Sequence, residues 1–98
     1  MFTHVVCFKW NRKLNEADLE RISSALNQLR SAVPELLDYD FGTDLGYSDG
    51  RNWDYGIVAQ FASEADWRKY DTHPAHDKVR AEVFREIIAE RAAVQFSA

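Results

Sequence analysis

The residues that most limit how this chain can fold are Tyr70-Asp71-Thr72-His73-Pro74-Ala75-His76. Pro74 removes a backbone donor and pushes His73 toward an extended conformation, so a helix arriving from the N-terminal side must stop here. Proline is equally at home in the first turn of a new helix. The spacing predicts that second helix from Pro74 to about Ala89. Counting from His76, Val79, Val83 and Ile87 follow at helical spacing, and Phe84 and Ile88 widen the stripe. His76 therefore opens the inward face of this helix, whereas His73 lies outside its periodicity and serves the turn. Spacing alone leaves two readings of His76: a core histidine held by one hydrogen bond, or a proton acceptor with a near-neutral pKa. Two histidines three residues apart can share a metal, but the proline lies between them and no third ligand accompanies them, so no metal is assigned.

The remaining elements follow from periodicity. Residues Thr3 to Trp10 read as a strand with His4, Val6, Phe8 and Trp10 on one face and Thr3, Val5, Cys7 and Lys9 on the other. Both faces are largely apolar, which suits a strand covered on both sides. Asn15, with Asp18 three residues on, is a helix cap. Leu19, Ile22, Leu26, Leu29 and Val33 then recur at helical spacing up to Pro34. Leu37, Tyr39 and Phe41 alternate with Asp38 and Asp40 as a half-buried strand, the aspartates on its polar face. Gly42 to Asn52, with Ser48-Asp49-Gly50, is a loop without phosphate-cradling glycine spacing. Trp53, Tyr55, Ile57, Ala59 and Phe61 form a third strand. Ser63 with Asp66 starts a short helix on which Trp67 and Tyr70 share a face. Ala92, Val94 and Phe96 alternate in a closing strand.

This order is strand, helix, strand, strand, interrupted helix, strand, the pattern of an α+β ferredoxin-like βαββαβ domain. At 98 residues the chain is one domain, residues 1–98, with one modest core. Four antiparallel strands with helices on one face leave the other face bare, and that face carries Val5 and Cys7. The simplest cover is a second copy, so a homodimer is expected, its two sheets forming an α/β barrel. A net charge of −4 argues against nucleic-acid binding. No apolar run reaches membrane-spanning length and no signal peptide precedes the first strand, so cytoplasmic residence is expected. The single Cys7 cannot form an intrachain disulfide and reads as a structural thiol.

Two stretches are similar to the stress-responsive A/B barrel (Dabb) domain family. His4-Val5-Val6-Cys7-Phe8-Lys9-Trp10 resembles its first strand. Phe61-Ala62-Ser63 through Tyr70 to His73-Pro74-Ala75-His76 resembles its central motif. The resemblance spans essentially the whole chain and implies the dimeric barrel fold reached above. Many members of the family have no assigned reaction. One branch, the olivetolic acid cyclase-type polyketide cyclases, closes a linear polyketide by aldol condensation without a cofactor. That resemblance implies His76 as base and Tyr70 as hydrogen-bond donor, with His4 beside the pocket. Tyr55 stands where those enzymes have a further histidine.

The expected function is therefore a homodimeric protein binding a small apolar or aromatic ligand between helices and sheet; the alternative is a cyclase-like enzyme. The candidate catalytic residues are His76 and Tyr70. The candidate ligand-binding residues are His4, Phe8, Tyr55, Trp67, His73 and Phe84, with no cofactor and no metal. A buried polar network of His4, Tyr70 and His76 that specifies the fold without chemistry remains a rival. A cofactor-independent monooxygenase or haem-degrading enzyme rests on fold analogy alone.

Overall fold

The computed structural model describes residues 1–98. The elements are β1 (Phe2–Trp10), α1 (Glu16–Ala32), β2 (Asp38–Thr43), β3 (Tyr55–Phe61), α2 (Glu64–Asp71), α3 (Pro74–Val79) continued by a π-helical turn (Arg80–Phe84), and β4 (Ile88–Ser97). The strands form one antiparallel sheet in the order β2-β3-β1-β4, with β1 central between β3 and the edge strand β4. This is the ferredoxin-like arrangement expected from the sequence.

Local chemistry places the helices. Asn15 caps α1 through a reciprocal pair: its side chain accepts from the Asp18 N–H at 2.8 Å, and the Asp18 carboxylate accepts from the Asn15 N–H at 3.0 Å. Ile22, Leu26, Leu29 and Val33 then enter the core. Ser63 caps α2 by accepting from Asp66 N–H. His73 caps α3, its Nδ1 accepting from Ala75 N–H at 3.0 Å, with Pro74 at the first helical position. The helices cover the sheet face formed by Val6 and Phe8 of β1, Tyr39 of β2, and Tyr55, Ile57, Ala59 and Phe61 of β3.

Three expectations are corrected. The helix begun at Pro74 ends near Phe84 rather than Ala89. Asn11 donates from its side chain to the Glu86 carbonyl and from its backbone to the Ile87 carbonyl, drawing the chain into β4 four residues before the closing strand was expected. Within that helix the stripe also shifts. The Arg85 N–H bonds the Arg80 carbonyl, five residues back, so the turn contains one extra residue. Val79, Phe84 and Ile87 are buried as expected, and Val83 is only half-buried. Leu37 lies outside β2 and is 54% exposed, while Tyr39 alone of the alternating trio is fully buried.

The second sheet face is bare. Val5 pairs with Val58 on one side and Val94 on the other, and Thr3 pairs with Phe96. Val58, Val94 and Phe96 are 38, 56 and 49% exposed, an apolar patch on the face opposite the helices.

Leu29, 1% exposed at the centre of the α1 stripe, tests this packing. Leu29→Ala should lower the unfolding free energy by about 2–5 kcal/mol in urea titration. A loss below about 1 kcal/mol would mean that α1 does not pack as described.

Candidate functional site

A cavity of about 160 Å3 opens between the helices and the sheet. Its polar lining comes from four elements: His4 of β1, Tyr39 of β2, Tyr70 of α2, and His76 of α3. Phe8, Phe84 and aliphatic side chains supply the apolar wall, and Arg80 and Arg91 complete the lining. A larger external groove of about 520 Å3 between α1 and α3 has a floor of Leu29 and Val79 and a rim of surface residues such as Arg21, Gln28 and Lys78, with no histidine or tyrosine among them.

The break at Pro74 builds the chemical end of the cavity. In an unbroken helix the N–H of residue 74 would bond the Tyr70 carbonyl, and proline has none. That carbonyl instead accepts from His73 N–H at 3.2 Å and from His76 Nδ1–H at 3.1 Å. The second bond sets the tautomer. With the proton on Nδ1, neutral His76 leaves the Nε2 lone pair without a protein partner, on a ring that lines the cavity. The imidazole lies against the Tyr70 ring, with centroids 4.2 Å apart.

His4 is set the opposite way. Gln95 of β4, directly across from it in the strand pairing, donates its side-chain amide to His4 Nδ1 at 3.0 Å. The neutral ring then has its proton on Nε2 and is a donor. The Tyr39 and Tyr70 hydroxyls are 3.0 Å apart in the interior. When Tyr39 donates to Tyr70, the Tyr70 O–H is free to donate in turn. One acceptor nitrogen and several donors thus converge on a space about the size of an apolar cavity that holds a benzene ring, ~150 Å3.

The interior groups are neutral at physiological pH. Burial, reinforced by the Arg80 guanidinium, lowers the His76 pKa to about 4 against the upward pull of the Tyr70 carbonyl. Burial also lowers the His4 pKa, with Arg91 acting in the same direction. Burial pushes the Tyr39 and Tyr70 hydroxyls upward.

Of the residues singled out in the sequence, His4, Phe8, Tyr70, His76 and Phe84 meet in this cavity. Tyr55, Trp67 and His73 do not line it. The Tyr55 ring packs on Trp10 and its hydroxyl is buried beside Ser23. Trp67 stacks on Phe2 and tilts toward His4 behind the cavity wall, its indole N–H unpartnered. His73 is occupied as the α3 cap. Sequence reasoning missed Tyr39, Arg80 and Arg91 as part of the site. Tyr39 was visible as the inward residue of an alternating strand, but nothing local pairs it with Tyr70, 31 positions away. Arg91 fell between the expected helix end and the expected strand start. In the observed register it pairs with Phe8 and shares its face.

The stress-responsive A/B barrel domain family matches residues 2–98. The chain belongs to this family. No curated protein matches the sequence. Among solved structures, a dimeric ferredoxin-like protein of unknown function from Thermobifida fusca is 37% identical, with a TM-score of 0.88 over 99% of this chain and 90% of that one. A Dabb family protein from Mesorhizobium loti, 15% identical, has a TM-score of 0.82 over 99% and 95%. A hydroxynitrile lyase from Passiflora edulis, 21% identical, has a TM-score of 0.80 over 97% and 90%. The last two likenesses are of fold. No helix of this Dabb domain is long and apolar enough to cross a membrane.

Two measurements test the site. Long-range proton–nitrogen NMR correlations at pH 7 should show His76 protonated on Nδ1 and His4 on Nε2; a shared tautomer would contradict the hydrogen bonds above. The second is a pH series. An unfolded histidine titrates near 6.5, whereas folded His76 stays neutral down to about 4. Between these values the unfolded chain binds more protons, so stability falls as pH falls from 6.5 to 4. His4 contributes with the same sign. The loss should be about 3 kcal/mol, and His76→Phe should remove most of it; an unchanged slope in that variant would assign the effect elsewhere.

Proposed function

We propose that this Dabb domain works as a homodimer in which each protomer binds a small aromatic or apolar ligand in the cavity between helices and sheet. The observation that carries the ligand reading is the convergence of an unpartnered His76 Nε2, the His4 N–H and the Tyr39–Tyr70 hydroxyl pair on one apolar, ring-sized space. The dimer is supported by the apolar patch of Val5, Val58, Val94 and Phe96. It is also supported by the dimeric description of the Thermobifida fusca relative. Cytoplasmic residence belongs to the same reading, since the lone free Cys7 suits a reducing compartment.

A second reading is favoured by one feature, the free Nε2 of a histidine whose other nitrogen is fixed. In this reading the cavity promotes aldol-type ring closure, as in a polyketide cyclase. A carbon flanked by two carbonyls gives its proton to His76 Nε2, and the electron pair moves to a carbonyl oxygen that accepts hydrogen bonds from Tyr70 and His4. The enolate carbon then bonds to a second carbonyl carbon of the same chain. The resulting alkoxide recovers the proton from His76. Burial makes His76 a mild base, so the donors must acidify the substrate. The likeness to a hydroxynitrile lyase supports only the suitability of the fold for a small-molecule site.

The ligand reading predicts saturable shifts of the His76 and His4 ring signals when small aromatic and polyketone compounds are titrated against labelled protein. Unmoved signals across the panel would leave a closed structural network. The catalytic reading predicts that the protein accelerates deuterium exchange at the central carbon of pentane-2,4-dione, and that His76→Ala removes about 10²–10⁴-fold of that rate with little change in Tm. A large fall in Tm without any exchange activity in the parent protein would support the structural network instead. For assembly, light scattering at micromolar concentration should give a dimer, and Val94→Glu should give a folded monomer. A monomeric parent protein would refute the pairing.

A further inference from the structure

Arg80 and Arg91 both line the cavity and both are exposed, which puts them at its mouth, beside the edge strand β4. Their situations differ. Arg80 is already neutralised. It contacts the Asp71 carboxylate at 2.6 Å and the Asp77 carboxylate at 3.2 Å, and also donates to the Asp71 carbonyl. Arg91 forms no salt bridge and no side-chain hydrogen bond. The neighbouring acid, Glu90, points to the opposite face of β4, where it meets Lys9 at 3.6 Å. Pairing with Phe8 instead aims Arg91 along the helix-covered face, over the apolar wall.

The Arg91 guanidinium, solvated and without a carboxylate partner, is the cation at the mouth of this apolar space that is free to receive an anion. A ligand that fills the space with a ring and ends in an anion would match it. The guanidinium fork suits the two oxygens of a carboxylate. A cavity of about 160 Å3 holds one ring, so a charged substituent on that ring must lie at the mouth. The interior has hydrogen-bond donors but no free cation to receive it.

We propose that the cavity selects a compact aromatic carboxylate, and that Arg91 is the residue that recognises its charge. This rests on the reading that the cavity is the ligand site, and deepens it by naming the ligand class. The orientation follows: ring against Phe8 and Phe84, carboxylate outward on Arg91, and the edge of the ring nearest the interior within reach of His76 and the tyrosine pair.

The test compares benzoate, benzamide and acetate by chemical-shift titration of the parent protein, Arg91→Gln and Arg80→Gln. Arg91 is exposed, so its replacement leaves the core intact. The parent protein should bind benzoate roughly 10-fold tighter than benzamide, the scale of one charge-assisted hydrogen bond, and should bind acetate far more weakly than benzoate. Arg91→Gln should abolish the preference while leaving benzamide affinity within about twofold, and Arg80→Gln should retain it. Benzamide binding as tightly as benzoate would overturn the charge selection and leave the apolar ligand site standing. Acetate matching benzoate would instead overturn the aromatic half of the proposal, because the ring would then contribute nothing. A preference that survives Arg91→Gln, or is lost only in Arg80→Gln, would overturn the role given to Arg91. Failure of both aromatic probes to bind the parent protein would overturn the ligand site and the proposal together.

Discussion

The candidate site depends on the backbone carbonyl of Tyr70. Pro74 cannot donate to it, and the bond that would have continued the helix is replaced by one from His76 Nδ1. One missing N–H therefore has three effects. It ends α2 and restarts the chain as α3. It brings the Tyr70 and His76 rings within 4.2 Å of each other. It also places the imidazole proton on the nitrogen that faces the backbone, so that the other nitrogen faces the cavity as an acceptor. A histidine on an unbroken helix could occupy the same surface but would have no such carbonyl to bind, and its tautomer would be free to exchange. The orientation of His76 is thus a property of the helix break and not of the cavity wall.

Strand parity separates the two surfaces that matter. On β1, His4, Val6 and Phe8 face the helices, and Val5 and Cys7 face the bare side. The same strand pairs with both β3 and β4, so each inward residue has a fixed neighbour on either side: His4 meets Gln95 and Phe8 meets Arg91. A slip of one residue would exchange the cavity lining for the apolar patch. The mixed apolar character of both faces of β1 is therefore a direct imprint of two separate surfaces sharing one strand.

That imprint was legible in the sequence, as were the capped α1, the break at Pro74, the ferredoxin-like order and the family resemblance. The failures have physical causes. Helical counting assumes four residues between successive inward positions, and the π-turn inserts a fifth, so of the two neighbours expected inward Phe84 is buried and Val83 is only half-buried. Asn11, far away in sequence, captures the Glu86 and Ile87 carbonyls and ends the helix early. No local pattern in residues 80–90 reports on that partner. Tyr39 and Arg91 escaped the site for the same reason. Their neighbours, Tyr70 and Phe8, are defined by sheet register and by helix docking, which periodicity within a single element does not contain. Where the signal was local, as with His73 before Pro74, the expected service to the turn matches the observed cap.

The edge strand β4 links these observations. It is the most weakly packed element: none of its residues is buried, and its helix-side face is largely open. Its place in the fold comes from the ladder it shares with β1. Yet it carries Gln95, which sets the His4 tautomer, and Arg91, which stands at the mouth of the cavity. An element held by one ladder opens more readily than the doubly paired β1 or the core-packed α1. The two ends of the site are therefore held in different ways. The interior acceptor on His76 is fixed by a helix break packed against the core, whereas the charge at the mouth rides on an edge strand held by one ladder. A ligand bridging the two would tie the edge strand to the helical layer. Burial of the outer face of β4 against a second sheet would hold the same strand from the other side. The surface open to a second copy and the surface open to a ligand therefore lie on opposite faces of one strand.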